Sequence, residues 1–563
     1  MQKYFRPAFR PIFIFLAAVC LFVSSCEKDG ETEKGAVSAV KGPDGSTSLK
    51  GLPAPDAVAI YASHFPKGAK VWVYAPHGGR LLEDIKESSS LKAFLHPRHG
   101  SADTFKRTRL FRKLRVRFKE LARLVSTKAE WKDLAALVGE ETAFALYDIG
   151  ELKFVFISRL TSDRMASTFL WPARGKARER YMQGSVYYSL ASRNKSAEFF
   201  FGNAKGKLVI SNRESLFEDA FAAALAGEDE KSRQPLSGTF NQAFPKKFRV
   251  HDFLLFLEQD VLNEDPYFQR YWVYRNFERI DWVKTVVVDV ELSVDKWNER
   301  RYYSADRIPE GRDPRELGPC LFMLEHGTAG DCGGIAGAQE AASMLLSLFP
   351  KETIKDKEQA NSLHHELAKI LSSASPYLAG TAIDVVYEDD ALFWKNSYTL
   401  ALKLDNPSAL DMKALRQSFA DVLSSSVFES SDRKLNWKKD NFGTSCTFPL
   451  FESSGTWLDK RGDFLMASTE GGLHKRILEA AGHRKGSFQG IYKSRLDFQK
   501  GAGRLEHVFA RLDNYGGWPH WQSKSSMSYF LKLTNDLHAD GINREMSYQG
   551  GLIEEKLSAT ASY

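Results

Sequence analysis

Gly206-Lys207-Leu208-Val209-Ile210-Ser211-Asn212-Arg213-Glu214-Ser215 runs straight into the alanine-rich stretch Leu216–Leu225, which stops at Gly227. An aliphatic run behind a glycine turn predicts a strand. Asn212–Ser215 then offers a helix cap and Gly227 a helix stop. The stretch therefore predicts a Gly-led strand that turns at once into a helix. The same pattern returns at Gly462-Asp463-Phe464-Leu465-Met466-Ala467-Ser468, followed by a helix over Leu473–Ala481 that ends at Gly482. Working outward, three further landmarks recur in order, roughly 240–260 residues apart. Gly139–Tyr147 is echoed by Gly380–Tyr387, Gly184–Leu190 by Gly443–Leu450, and Trp297–Tyr303 by Ile542–Tyr548.

Short runs rich in Phe, Val, Ile and Tyr surround these landmarks. They predict antiparallel strands at Thr142–Tyr147, Lys153–Arg159, Ser185–Ser189, Glu198–Gly202, Thr285–Ser293 and Tyr529–Leu537. Helices are expected at Phe253–Val261, Tyr267–Asp281, Ile335–Phe349 and Gln359–Leu371, and a polar surface connection at Glu228–Pro245. The class is α+β: antiparallel sheets covered by helices, in an internally duplicated two-module architecture. The modules are residues 51–310 and 311–563.

The amino terminus gives an address. Lys3, Arg6 and Arg10 precede an uncharged run from Ile12 to Val23, too short for the roughly 20 residues of a bilayer-spanning helix. A basic start, a short apolar core and small residues before a cut mark a secretory leader, here residues 1–25. Val23-Ser24-Ser25-Cys26 resembles the lipobox of bacterial lipoproteins. That resemblance implies diacylglycerol on Cys26, cleavage before it and acylation of the new amino group. Several acyl chains, at about 0.8 kcal/mol per buried methylene, anchor durably. Glu27 rather than Asp follows, which points to the outer membrane. Residues 26–50, without an aromatic side chain, read as a flexible tether with a reach of roughly 27 Å.

Leu52-Pro53-Ala54-Pro55-Asp56-Ala57, the Gly-Glu-Glu-x-Ala-Phe-Ala-Leu run at 139–146 and the Gly-Lys-Leu-Val-Ile-Ser run at 206–211 together resemble a bacterial envelope lipoprotein family known only as a domain of unknown function. The likeness covers mainly residues 50–305. It implies an envelope location and brings no catalytic residue.

Charge does not imply a global nucleic-acid role. The chain carries +7, and loss of the three leader cations leaves 75 basic against 71 acidic residues. Of five cysteines, Cys20 leaves with the leader and Cys26 takes the lipid. Cys320 and Cys332 could close a small disulfide loop, leaving Cys446, or all three could be separate thiols.

Lys106–Lys128 is a basic amphipathic segment whose Leu110, Leu114, Phe118, Leu121 and Val125 share a helical stripe. Lys106, Arg107, Arg109, Arg112, Lys113, Arg115, Arg117 and Lys119 could meet an anionic envelope surface or an acidic partner, or simply solvate a core-facing helix. Gly327–Gly334 lacks the Lys-Ser/Thr of a phosphate loop and the spacing of a dinucleotide fingerprint, so it reads as a flexible connection. His364-His365-Glu366 lacks the i, i+4 histidines of a zinc protease, and Glu388-Asp389-Asp390 lacks EF-hand spacing. There is no G-x-S-x-G elbow. No cofactor or metal is expected.

The functional expectation is a lipid-anchored envelope protein that binds or scaffolds without catalysis. Its partners would be the membrane, through the lipid, and an envelope surface or protein. A carrier of apolar ligands in a sheet–helix groove and a hydrolase on an unfamiliar scaffold are the alternatives.

Overall fold

The computed structural model describes residues 58–59, 61–87, 116, 119–127, 131–193, 197–226, 244, 250–266, 283–292, 296–305, 313–348, 357–387, 394–427, 436–448, 451–481, 486–497, 539–549 and 551–561. The leader, Cys26, the tether and the segments Tyr267–Asp281 and Tyr529–Leu537 lie outside them, as does nearly all of Glu228–Pro245.

The first half runs β1 (Val71–Ala75), α1 (Gly78–Glu87), α2 (Trp131–Leu137), β2 (Thr142–Asp148), β3 (Lys153–Arg159), α3 (Ser162–Ser167), α4 (Leu170–Ala173), β4 (Arg178–Met182), β5 (Ser185–Ala191), β6 (Glu198–Ala204), β7 (Lys207–Ser211), α5 (Glu214–Ala226), β8 (Phe253–Glu258), α6 (Gln259–Glu264), β9 (Val283–Leu292) and β10 (Lys296–Ala305). A short strand β11 (Arg315–Glu316) and a 3₁₀ segment, Gly318–Leu324, lead into the second half. That half runs β12 (Ala329–Gly334), α7 (Ala338–Leu346), α8 (Lys357–Ser372), β13 (Pro376–Tyr387), β14 (Trp394–Leu404), α9 (Met412–Val427), β15 (Lys438–Lys439), β16 (Thr444–Phe448), β17 (Phe451–Arg461), β18 (Phe464–Ser468), α10 (Gly471–Ala480), β19 (Gln489–Gly490), β20 (Tyr492–Asp497), β21 (Ala539–Gln549) and β22 (Leu552–Ala561). This is the α+β class, with antiparallel strands and covering helices.

Twenty strands join in one antiparallel sheet. Its order is β4-β5-β6-β7-β3-β2-β1-β8-β9-β10, then β22-β21-β20-β12-β13-β14-β18-β17-β16-β15. Read outward from the middle, the two halves place their strands in the same order. They meet at a seam where β10 lies antiparallel to β22, with Arg300 opposite Lys556 at its midpoint. The modules therefore share a sheet rather than being separated by a linker.

Hydrogen bonding at the strand-to-helix turn explains why the motif at Gly206–Ser215 recurs. Ser211 Oγ donates to Phe154 O (2.7 Å) and accepts from Arg213 N (3.1 Å), while Asn212 Oδ1 accepts from Phe154 N (3.1 Å). In the second half Ser468 Oγ donates to Tyr398 O (3.1 Å) and accepts from Glu470 N (3.2 Å), while Thr469 Oγ1 accepts from Tyr398 N (3.0 Å). Each pair of side chains meets the N–H and C=O of one residue on the neighbouring strand, Phe154 or Tyr398, as the chain leaves the sheet. Before both turns sits a two-residue hairpin. Lys205 and Gly206 both have positive φ (51° and 83°), as a type I′ turn needs, and Gly462 (59°) serves in the other half.

Helices cover both sheet faces at each end. On one face α5 buries Phe217, Ala220, Phe221 and Ala224 against Trp72, Ala145, Val155 and Phe256. On the opposite face Leu121 and Val125 pack with Met165 and Leu170 over Phe199, Phe201, Leu208 and Ile210. In the second half α7, α8 and α9 cover Leu400, Leu402, Leu458 and Leu465, while α10 and the 3₁₀ segment cover Ala382, Ala401 and Met466.

Several expectations are corrected. Phe253–Val261 is mostly the strand β8, buried along its whole length. A strand covered on both faces shows no alternation, so its pattern imitates a buried helix. Gly327–Gly334 is no flexible connection: Ala329–Gly334 is the buried strand β12. Its glycines admit the neighbouring chain, since a Cβ on Gly330 would lie 2.6 Å from Met323 O. The fourth echo also fails in register. Trp297–Tyr303 lies on β10, whose place in the second half is taken by β22, whereas Ile542–Tyr548 lies on β21, the counterpart of β9.

Candidate functional site

Of the basic segment, Lys106, Arg107, Arg109, Arg112, Lys113, Arg115 and Arg117 lie outside the described residues, as do Leu110, Leu114 and Phe118. Lys119 is described and exposed, and the helix from residue 119 to 124 turns Leu121 and Val125 into the core. That end of the stripe thus serves as core packing. The helix docks on the α3–α4 layer, where Lys176 Nζ donates to Ser126 Oγ (3.1 Å). On the outer side the Arg174 guanidinium stacks 3.1 Å from the Trp171 ring centroid, and its Nε donates to Trp171 O (3.1 Å). Sequence reading passed over this Trp-Pro-Ala-Arg-Gly-Lys run, although its density of cations around an aromatic was the available signal.

A second constellation comes from comparing the halves by register. Tyr187, Gly202 and Phe217 in the first half correspond to Gly443, Asp459 and His474 in the second, because Ser211 and Ser468 hold the same place in the turn. In the first half these positions are apolar. The Tyr187 and Phe217 rings lie 5.0 Å apart, and a Cβ on Gly202 would come within 2.7 Å of Phe221. In the second half the same positions hold a buried, hydrogen-bonded His–Asp pair. His474, fully buried, lies with Nε2 3.0 Å from Asp459 Oδ2, which also accepts from Thr444 N (2.7 Å), and Arg416 Nη2 is 3.7 Å from Oδ1. An ionised carboxylate only accepts, so Nε2 carries the proton. Gly443 is required beside them: a Cβ there would lie 2.4 Å from Asp459 Oδ2. Asp440 completes the turn, accepting from Phe442 N, Gly443 N, Ser445 Oγ and Trp457 Nε1 at 2.7–3.2 Å.

With its imidazole sealed from solvent, this pair acts as a clamp on residues 440–444. Burial pushes the Asp459 carboxyl up, but the hydrogen bonds from His474 and Thr444 outweigh it and hold the group below its ordinary value. A depressed carboxyl stabilises the fold above its unfolded pKa and loses that contribution as pH falls through the folded value. Asp459→Ala should cost about 1–3 kcal/mol at pH 7, since it strands the Thr444 and His474 donors. The difference from wild type should shrink below about pH 4. Urea denaturation at pH 7 and pH 3.5 measures both.

The remaining candidates take structural roles. His364 and Glu366 face different neighbours on α8: His364 Nε2 meets Ser343 Oγ (2.9 Å) and Gln339 O (3.0 Å), while Glu366 Oε1 accepts from Ser418 Oγ (2.5 Å). Cys320 and Cys332 are joined in a disulfide, Cα–Cα 5.7 Å, and Cys446 is a buried free thiol. Glu388–Asp390 lies outside the described residues. Among the described residues no three His, Cys, Asp or Glu side chains are grouped to hold a metal, and no helix is long and apolar enough to cross a membrane.

No family model matches the chain, and no curated protein does. Among solved structures, crystal form I of TP0453 aligns with 44% of this chain and 79% of its own, at 11% identity and TM-score 0.23. Crystal form III of the same protein aligns with 44% and 80%, at 9% identity and TM-score 0.25. Similarity this low carries no argument about fold or activity.

Proposed function

We propose that this chain is a lipid-anchored protein of the bacterial envelope that serves as a binding or scaffolding platform rather than an enzyme. The observation that carries the address is Val23-Ser24-Ser25-Cys26 at the end of a short apolar run. A buried disulfide between Cys320 and Cys332 supports it, because such bonds form and persist outside the reducing cytosol. The platform reading rests on how the ionisable groups are used. Those at the seam and in the Asp459–His474 clamp bind protein to protein and hold the sheet in shape. The sheet–helix junctions are filled with packed side chains, which favours a platform over an apolar-ligand carrier. We further read the matching strand order of the two halves as an internal duplication that doubles the available surface.

Mass spectrometry of the mature chain recovered from a bacterial host tests the address. The expected first residue is Cys26 carrying acyl mass, and Cys26→Ala should move the protein from the membrane to the soluble fraction. A mature terminus elsewhere, without lipid, overturns the reading.

A further inference from the structure

We propose that the outer side of the α3–α4 layer, with the helix docked on it, is a contact surface for an anionic lipid bilayer; this rests on, and deepens, the reading of the chain as membrane-anchored. The described residues contain six exposed large apolar side chains, and three of them, Val116, Trp171 and Tyr181, belong to this layer and its bordering strand β4. Chance scatter would spread them over twenty strands and both halves. Lys119 and Arg123 stand one turn apart on the side of the helix opposite the buried Leu121 and Val125, and Val116, helical and exposed, precedes them. Lys119, Arg123, Arg174 and Lys176 form no ion pair among the described residues.

The side chains suit a bilayer interface in particular. Trp and Tyr settle at the level of the headgroups, where an aromatic body meets apolar chains and a polar edge meets water. Arg174 stacked on Trp171 adds a cation to that position, able to meet a lipid phosphate while the ring enters the interface. Asp163 and Glu179 also lie in this layer, so the attraction comes from local cations around an aromatic rather than from a large net charge. Nothing in the fold demands this chemistry. The corresponding layer of the second half, α9 and its lead-in, carries Asp405, Asp411 and Asp421 against Lys413 and Arg416, and none of the exposed large apolar residues. A chain tethered at Cys26 would present such a face at high local concentration, so weak contacts suffice.

The test uses the chain from Glu27 onward, which has neither leader nor lipid; every described contact begins at residue 58 or later, so none is removed. This protein should sediment with vesicles of three parts phosphatidylglycerol to seven parts phosphatidylcholine at low salt, and not with phosphatidylcholine alone. Arg174→Glu with Lys176→Glu should weaken that binding by at least about twenty-five-fold, taking about fivefold for each cation lost near the surface. Trp171→Ala alone should weaken it also, and Lys413→Glu on the other half should leave it unchanged. Unaltered thermal melting keeps the comparison fair, and Arg174→Lys with Lys176→Arg should retain binding. Absence of sedimentation, equal binding to neutral vesicles, or equal binding by the charge-reversed variant overturns the proposal. Vesicle binding by a protein whose native Cys26 carries no lipid would sustain this surface while removing the anchor.

Discussion

Arg301→Met should destabilise the folded protein by about 3–5 kcal/mol, the usual cost of leaving a buried charge without its partner. Arg301 is completely buried on β10. Its Nε donates to Glu299 Oε2 (2.6 Å), and Glu555 stands opposite it across the seam, 3.5 Å from Nη1. Tyr303 donates its hydroxyl to the same Glu555 carboxylate. Burial works against the guanidinium charge, but the two carboxylates outweigh it and hold the Arg301 pKa above its ordinary value. Removing the cation leaves Glu299 and Glu555 as like charges in a dry seam. The variant should therefore recover part of its loss in acid, where a carboxyl can protonate. Arg301→Met combined with Glu299→Leu and Glu555→Leu should restore most of the stability at pH 7, since a well-packed apolar trio often matches a buried ionic one. Denaturant midpoints at pH 7 and pH 4.5 for the single and triple variants decide this. A single-variant loss below about 1 kcal/mol would place the seam's strength elsewhere, in its backbone ladder.

The turn at Ser211 and Ser468 was legible because its chemistry is local. A hydroxyl and a second polar side chain close one neighbouring strand, whatever the rest of the fold does. The same local logic located β2, β3, β5 and β7. It failed for β8, where burial on both faces erases alternation, and for β12, where glycine serves a close backbone approach rather than a turn. The charged strands at the seam misled in another way. Trp297–Tyr303 and Ile542–Tyr548 look alike in sequence, yet the antiparallel meeting of the halves puts β22, not β21, in the place of β10. The Asp459–His474 clamp was invisible for a stronger reason. Both residue types are ordinary surface residues, and only the register that aligns them with Gly202 and Phe217 shows that they occupy a core position.

The second large effect belongs to the Cys320–Cys332 bond. Both halves must hold the segment before their first strand against that strand, and they do it by different means. In the first half Tyr61 packs on Tyr74 at 5.1 Å and Phe65 on Trp72 at 6.1 Å between ring centroids. In the second half the register puts Gly330 and Cys332 where Trp72 and Tyr74 stand. No ring is available there; the 3₁₀ segment comes down onto Gly330 instead and is bonded to the strand through Cys332. The closed loop is short, with a sequence separation of 12. Loop closure of that length is worth about 3 kcal/mol. Cys320→Ala with Cys332→Ala should therefore lose about 3 kcal/mol in denaturant unfolding. Reduction of the wild-type protein should reproduce that loss, and reductant should leave the variant unchanged. Cys446, buried and outside the bond, should react with a thiol reagent only on unfolding in either protein. Equal stability of oxidised and reduced wild type would mean that packing of Leu317, Leu321 and Leu324 against Leu378 holds the segment alone. The second half would then use the same apolar means as the first, and the disulfide would lose its weight as a sign of an oxidising compartment.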